Sequence, residues 1–168
     1  MYRYIKLDDS ELGNKTRYML FLKGKRDGWK KDFIAYYKSI GKHIPDINLS
    51  DFEFFLECYP KPLFDEYIIL DDNDDIIGHS IVDIDDDSIA SIDIDIEEVY
   101  QGMGFGTKLV KFIEDDLLKR DDIKSIAIRD MSDYKQSSKI AEKLGYELIE
   151  PRYYEKINPN YKGSKKEL

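Results

Sequence analysis

The chain reads IASIDIDIEEVYQGMGFGTKL from Ile89 to Leu109, where an alternating segment, a glycine-rich segment and an amphipathic segment follow one another. Strict alternation of apolar and charged residues is typical of a strand with one buried face. The alternating positions here are Ile92, Ile94 and Ile96 on one face and Asp93, Asp95 and Glu97 on the other. The stretch therefore predicts a strand, a tight turn and a helix in direct succession.

The residues on either side continue this organisation. Upstream, the patterns predict a strand over 2–7, two helices within 11–37 that are broken near Gly24 and Gly28, a short helix after Ser50, and a hairpin of strands over 66–70 and 76–84. Downstream, they predict a helix over 105–120, a strand over 124–129, a helix over 136–144 and a closing pair of strands over 146–149 and 152–157.

Together these elements predict an α/β (α+β) fold with a mixed, mostly antiparallel, six- to seven-stranded sheet flanked by helices. We expect the sheet to be antiparallel through its first four strands and splayed after the fourth. Because 168 residues suffice for one hydrophobic core, we expect a single domain over residues 1–168, with a solvated C-terminal tail over about 159–168.

Composition narrows the classes of function. The chain has 35 acidic and 26 basic residues, and its net charge of −9 disfavours nucleic acid and anionic membranes as partners. Cys58 is the only cysteine, so neither a disulfide framework nor a thiolate metal site is expected. The N-terminus lacks an apolar signal core and no window is apolar for long enough to span a bilayer, which predicts a cytoplasmic protein.

The glycine-rich turn suggests an anion site. Glycines at 102, 104 and 106 permit positive φ angles and leave room for a ligand to approach the backbone. Because the turn opens a helix, its free N–H groups and the helix dipole favour a phosphate or pyrophosphate there. A tight turn that needs glycine only for its geometry is the alternative. The spacing differs from that of a dinucleotide-binding turn, and no G-K-[ST] of a P-loop follows.

Taken with its flanks, the segment resembles the acyl-CoA signature [QR]-x-x-G-x-[GA] of the GNAT superfamily of N-acetyltransferases, which is met by Gln101, Gly104 and Gly106. The order of the predicted elements is similar to that of the family over most of the chain. The family's L-G-[YF] ending of the later helix is also present, as Leu144-Gly145-Tyr146. A GNAT-like sheet is the fold that this resemblance implies.

The resemblance implies acetyl-CoA as co-substrate and no metal. Its pyrophosphate would lie on backbone amides of the glycine turn, and its pantetheine arm would pair with the end of the preceding strand. The residues implied for the first contact are Gln101, Gly102, Met103, Gly104, Phe105, Gly106 and Thr107, and those for the second are Ile96, Glu97 and Glu98.

Acetylation requires a neutral amine, so a carboxylate near the thioester can act as the base. Asp93, Asp95 and Glu97 are the catalytic candidates, although a solvated strand face is the commoner role of alternating acids. The family's tyrosine that protonates the thiolate is replaced by Ala141, and an asparagine earlier in the helix by Lys135.

Other residues carry weaker signals. Tyr100, Tyr134 and Tyr146 are expected to be packing aromatics near the cleft, and Cys58 a small buried residue. His43 and His79 are expected to be ordinary residues, His79 having no evident partner in its strand. The run Asp83 to Asp87 lacks the glycine and glutamate of a calcium loop and is interpreted as a charged hairpin turn.

These observations predict an N-acetyltransferase that moves an acetyl group from acetyl-CoA to a primary amine by direct attack in a ternary complex. The acceptor is expected to be a small cationic amine or a basic peptide end. The reason is that Asp83, Asp85, Asp93, Asp95 and Glu97 are expected near the cleft, where they would attract cations. The protein is expected to be a monomer or a homodimer. A non-catalytic acyl-CoA-binding module and a helical protein-interaction domain with an aromatic face remain as alternatives.

Overall fold

The computed structural model describes residues 1–131 and 136–163. Its residues form two compact units, one comprising Leu7–Leu63 and the other Met1–Lys6 together with the chain from Phe64 onward. Within the described ranges, no helix combines the length and the apolar character needed to cross a membrane.

The unit Leu7–Leu63 contains three helices, α1 (Glu11–Lys23), α2 (Trp29–Ser39) and α3 (Asp51–Cys58). The predicted break between the first two is confirmed: α1 ends at Gly24, and Gly28 with φ of 81° precedes α2. The Ser50 hydroxyl and the Glu53 side chain form a reciprocal capping box at the start of α3.

Aromatic rings form the core of this helical unit. Trp29, Phe54 and Phe55 are buried, and Phe21 contacts the Trp29 ring edge-to-face at 4.8 Å between centroids. Cys58, which was expected to be buried, is partly buried and packs against the same cluster. The N-terminal aromatics are thus largely used internally, which removes the main support for an aromatic interaction face.

The second unit is built on a seven-stranded sheet in the order β1-β2-β3-β4-β5-β7-β6. Its strands are β1 (Arg3–Lys6), β2 (Asp65–Leu70), β3 (Ile76–Ile84), β4 (Ile89–Ile96), β5 (Ser125–Arg129), β6 (Glu147–Glu150) and β7 (Tyr153–Ile157). All neighbouring strands are antiparallel except β4 and β5. The predicted fold class is confirmed, as is the antiparallel pairing through the first four strands.

Helices α4 (Phe105–Leu117) and α5 (Gln136–Lys143) accompany the sheet. The α4 helix ends three residues before the predicted Arg120, where the chain turns. It buries an apolar stripe against the sheet, and this stripe consists of Leu109, Val110, Ile113 and Leu117. The isoleucine face of β4 contributes to the same core, with Ile92 buried and Ile94 and Ile96 packed at its margin.

A buried ion pair also fixes α4. The side chain of Glu114, 3% exposed, accepts a hydrogen bond from the Lys156 ammonium of β7 at 2.9 Å. The same ammonium donates to the Leu144 carbonyl at 2.8 Å, just after α5. Lys156 therefore joins the two helices to the sheet.

The C-terminal segment after β7 is hydrogen-bonded to the loop that follows α4. The Asn160 side chain donates to the Leu118 carbonyl at 2.8 Å, and the Lys162 N–H donates to the Asp121 carbonyl at 2.9 Å. These hydrogen bonds hold the segment through Lys162, although Pro159, Asn160 and Lys162 are exposed to solvent. Residues 164–168 lie outside the described residues.

Asp116 provides a test of stability against pH. Burial alone would raise the pKa of Asp116, but the hydrogen bond from the Tyr67 hydroxyl and the charge of Lys6 outweigh it and lower that pKa. A carboxyl whose pKa is lower in the folded state stabilises it above the unfolded value, about 4, and loses this effect as pH falls through the folded value. We expect Asp116→Asn to cost up to about 1 kcal/mol at pH 7, since the group is partly exposed, and less at pH 2. Urea denaturation at both pH values measures this, and a constant difference would contradict it.

Candidate active site

The end of β4 has a free edge. Strand β5 pairs with β4 only from Ile89 to Ile92, so the two strands separate after that point. The N–H of Glu97 donates to the Ile77 carbonyl of β3 at 3.0 Å. Because peptide groups alternate in direction along a strand, the backbone groups of Ile94 and Ile96 point away from β3 and into the gap.

The glycine turn follows this free edge. A 3₁₀ helix over Glu98–Tyr100 leads into it, and Gly102 and Gly104 have φ angles of 74° and 87°. Gly104 is the N-cap of α4 and offers no side-chain cap. The first amides of α4 therefore lack intrahelical acceptors and, with the helix dipole, form an anion-binding end.

A groove of about 400 Å³ joins these two features. One wall is the turn and the start of α4, and the other is the start of α5. Its lining includes Ile94, Ile96, Gly104, Gly106, Gln136 and Ile140. The edge of β4 that has separated from β5 thus meets a helix N-terminus in one continuous depression.

Of the two roles predicted for Gly106, the structure supports the room that it leaves and contradicts the positive φ angle. It lies within α4 and is not among the glycines with positive φ. A Cβ atom added there would lie 2.9 Å from the Ile140 Cδ1 atom and 3.8 Å from the Ile96 Cγ1 atom. Glycine at this position therefore keeps the groove open, and backbone conformation does not require it.

Most of the predicted cofactor residues come together at the groove. Its lining contains Ile96, Gln101, Gly102, Gly104, Phe105, Gly106 and Thr107. Glu97, Glu98 and Met103 are exposed and are not part of that lining, because β4 ends at Ile96 and Glu98 enters the 3₁₀ helix. The Phe105 ring is buried against Tyr2, at 4.6 Å between centroids, so Phe105 can offer a ligand only its backbone.

The sequence did not identify the α5 wall. Gln136, Ser137, Lys139 and Ile140 line the groove from that side. Gln101 connects the two walls: its Nε2 atom donates to the Ile96 carbonyl at 2.9 Å, and its Oε1 atom accepts from Gln136 at 3.2 Å. The sequence predicts a helix beginning at Gln136. Its local pattern does not show which residues of that helix face the glycine turn.

The acids predicted to lie near the cleft divide into two groups, one of which contains all three catalytic candidates. Asp93, Asp95 and Glu97 are exposed on the sheet face opposite the isoleucines that pack toward α4. Asp83 and Asp85, expected near the cleft, are wrongly placed: Asp83 pairs with Ser91, whereas the groove lies at the Ile96 end of the same hairpin. Antiparallel pairing carries them to the opposite end. The Asp85 carboxylate accepts the N–H groups of Asp87 and Ile89, which confirms a hairpin turn.

The structure describes three of the residues discussed as possible general acids or as occupying the position of one. Ala141 is fully buried in the sheet core. Tyr146 is buried as a packing aromatic, and burial, then the charge of Glu114, raise the pKa of its hydroxyl. Tyr100 packs against Phe105, with 5.8 Å between the ring centroids. Tyr134 and Lys135 lie outside the described residues.

The expectation that His79 has no partner is wrong. Its Nε2 atom lies 3.2 Å from the Oε1 atom of Glu66, because β2 and β3 place the two residues diagonally on one sheet face. His43 is exposed. Over residues 1–131 and 136–163, no group of three or more histidine, cysteine, aspartate or glutamate side chains is arranged to hold a metal.

Comparison with solved structures supports the fold. A ribosomal-protein-S5-alanine acetyltransferase from Vibrio fischeri superposes with a TM-score of 0.57 at 16% identity, covering 96% of this chain and 95% of that one. A GNAT-family acetyltransferase from Staphylococcus aureus gives 0.54 at 12% identity, covering 94% and 99%. A chimeric spermidine N-acetyltransferase, partly from Vibrio cholerae, gives 0.51 at 15% identity, covering 92% and 90%.

The sequence comparison identifies the family. None of the curated protein sequences compared with the chain matches it significantly. Residues 29–146 match the model described as the acetyltransferase (GNAT) family. Because that match spans more than half of the chain, the protein belongs to the GNAT family of acetyltransferases.

Proposed function

We propose that the protein transfers an acetyl group from acetyl-CoA to a primary amine of a small cationic molecule or a basic peptide end. The observation that carries this proposal is the groove in which the free edge of β4 meets the uncapped start of α4. The amine would attack the thioester directly, with both substrates bound at once.

The residues present fit acetyl-CoA at this groove. Its pyrophosphate would be held by the amides of Gly102 to Gly106, where the helix dipole favours negative charge. Its pantetheine arm would pair with the backbone of Ile94 and Ile96, which points into the gap. The Ile96 carbonyl now accepts the Gln101 side chain, so the arm would exchange one hydrogen bond for another.

The charge of the sheet face supports a cationic acceptor. Asp93, Asp95 and Glu97 are exposed beside the gap, and Glu66 lies on the same face. The chain as a whole also carries a net charge of −9. Such a field concentrates cations and repels acidic acceptors. The names of two similar structures include spermidine and a ribosomal-protein alanine, an acceptor range that is compatible with this proposal.

Ala141 favours a second candidate function. It occupies the position at which the family resemblance places a thiolate-protonating tyrosine, and it is fully buried. Without that acid the thiolate would leave unassisted or be protonated by water, which typically slows the reaction about a hundredfold to ten-thousandfold. An acyl-CoA-binding module without turnover is therefore the alternative. Release of free thiol from acetyl-CoA with a panel of amines separates the two.

The acceptor preference is testable by kinetics. We expect kcat/KM to be highest for polyamines, aminoglycosides or basic peptides. For these acceptors its value should rise with pH and fall as the salt concentration increases. The triple variant Asp93→Asn/Asp95→Asn/Glu97→Gln should lose about tenfold or more in kcat/KM for these acceptors, mainly at low ionic strength. Assays of free thiol at two salt concentrations measure both effects.

The hairpin provides a control with the same charge change. Asp83→Asn/Asp86→Asn/Asp87→Asn removes three exposed acids at the end of the hairpin away from the groove. This variant should keep kcat/KM within a few-fold of the parent. Equal losses in the two triple variants, or equal rates with acidic acceptors regardless of salt, would reject a cationic acceptor.

A further inference from the structure

A histidine and a glutamate are paired on the sheet face opposite α4. The His79 Nε2 atom of β3 lies 3.2 Å from the Glu66 Oε1 atom of β2. Their side chains are only 22% and 18% exposed. The pair is thus held in place and partly shielded, yet it is still reachable from solvent.

The register of the sheet places His79 one strand away from the gap between β4 and β5, on the sheet face opposite α4. His79 lies directly opposite Asp95 of β4. The neighbours of Asp95 along that strand are Ile94 and Ile96, and their backbone groups face the gap. The charged groups that face His79 are Glu66 on β2, Asp93 and Asp95 on β4, and Glu97 just after β4. An acceptor cation drawn to these acids would therefore arrive next to the imidazole.

The pairing suits proton transfer. A neutral imidazole that donates one N–H to a carboxylate presents the lone pair of its other nitrogen, and the carboxylate stabilises the imidazolium that forms. At neutral pH an imidazole accepts a proton far more readily than a solvated carboxylate does. His79 is therefore better suited to this task than the exposed acids of β4.

We propose that His79, oriented by Glu66, is the general base that deprotonates the acceptor ammonium; this inference rests on the proposed function. The Nδ1 atom takes one proton from the ammonium. The freed amine lone pair forms a bond to the thioester carbonyl carbon and the carbon–sulfur bond breaks. The second proton of the nitrogen then passes through water to the departing thiolate, which leaves a neutral amide and a free thiol. Glu66 acts as a positioning residue, and the acids of β4 attract the cation.

The test compares His79→Gln with the parent, using the best acceptor from the amine panel. We expect kcat at pH 7 to fall about hundredfold, while calorimetry shows an unchanged dissociation constant for CoA. At pH 10, where the amine is largely neutral without help, the defect should shrink by about tenfold or more. Glu66→Gln should reduce kcat less than His79→Gln does, and its defect should likewise shrink at pH 10, because it removes the group that orients the imidazole and leaves the base in place.

His43→Gln is the matched control, since it removes an exposed imidazole elsewhere and should leave kcat unchanged. A His79→Gln variant with parental kcat at pH 7 would overturn the proposal. If kcat of His79→Gln falls equally at pH 7 and pH 10 while the affinity for CoA is unchanged, His79 has only a structural role. That result would also overturn the proposal. A parent protein that binds CoA but acetylates no amine would overturn the proposed function itself, which is a different result.

Discussion

Gly106→Val should weaken CoA binding by about a hundredfold or more, equivalent to about 2.7 kcal/mol of binding free energy. The added Cβ atom would lie 2.9 Å from Ile140 on the opposite wall, and the two methyl groups would occupy the groove beyond it. The backbone of Gly106 is helical, and valine has a better helix propensity than glycine, so the fold should persist. Calorimetry with CoA measures the loss, and thermal melting checks the fold.

Two variants make this result specific. Gly106→Ala should have a smaller effect, because the atom it meets is the end of the flexible Ile140 side chain. Gly24→Val places the same group at a glycine with no neighbour within 4 Å, and CoA affinity should not change. Unchanged affinity in Gly106→Val would show that CoA does not occupy this groove.

Lys156→Met should destabilise the protein by about 3–5 kcal/mol, which is typical when one partner of a buried ion pair is removed. The Glu114 carboxylate would stay buried with only Lys111, 3.4 Å away and 54% exposed, to compensate its charge. The Leu144 carbonyl would lose its donor as well. Urea denaturation at pH 7 measures the change in free energy of unfolding.

A second substitution distinguishes charge from packing. Adding Glu114→Gln to Lys156→Met removes the uncompensated charge, so the double variant should be more stable than Lys156→Met alone. Lys15→Met breaks an exposed pair with Glu11 and should cost less than about 1 kcal/mol. A cost for Lys156→Met as small as that of Lys15→Met would show that the buried pair contributes little.

The contact between His79 and Glu66 could not be predicted from the sequence, because it depends on the register of the hairpin. The sequence placed Glu66 and His79 on two strands of one hairpin, which is confirmed. Their contact also depends on a shift in the register between Ile69 and Leu70, where the pairing changes by one residue. One residue of slip moves every side chain to the other face, so a hairpin without a known bulge does not specify which side chains meet.

The sequence by itself determined the elements and their order. Alternation in β4, helical spacing in α4, and the glycines at 102 and 104 each act through local backbone geometry, so neighbouring residues suffice to predict them. The family signature and the anion-binding start of α4 belong to the same local stretch.

Only the tertiary structure decided which distant residues share a site. The width of the groove at Gly106 depends on Ile140, the fixation of α4 depends on Lys156, and the partner of His79 is Glu66. Each of these contacts joins elements that are separated in the chain. Their distances follow from strand register and helix packing, which arise from the burial of the whole core and cannot be calculated from neighbouring residues alone.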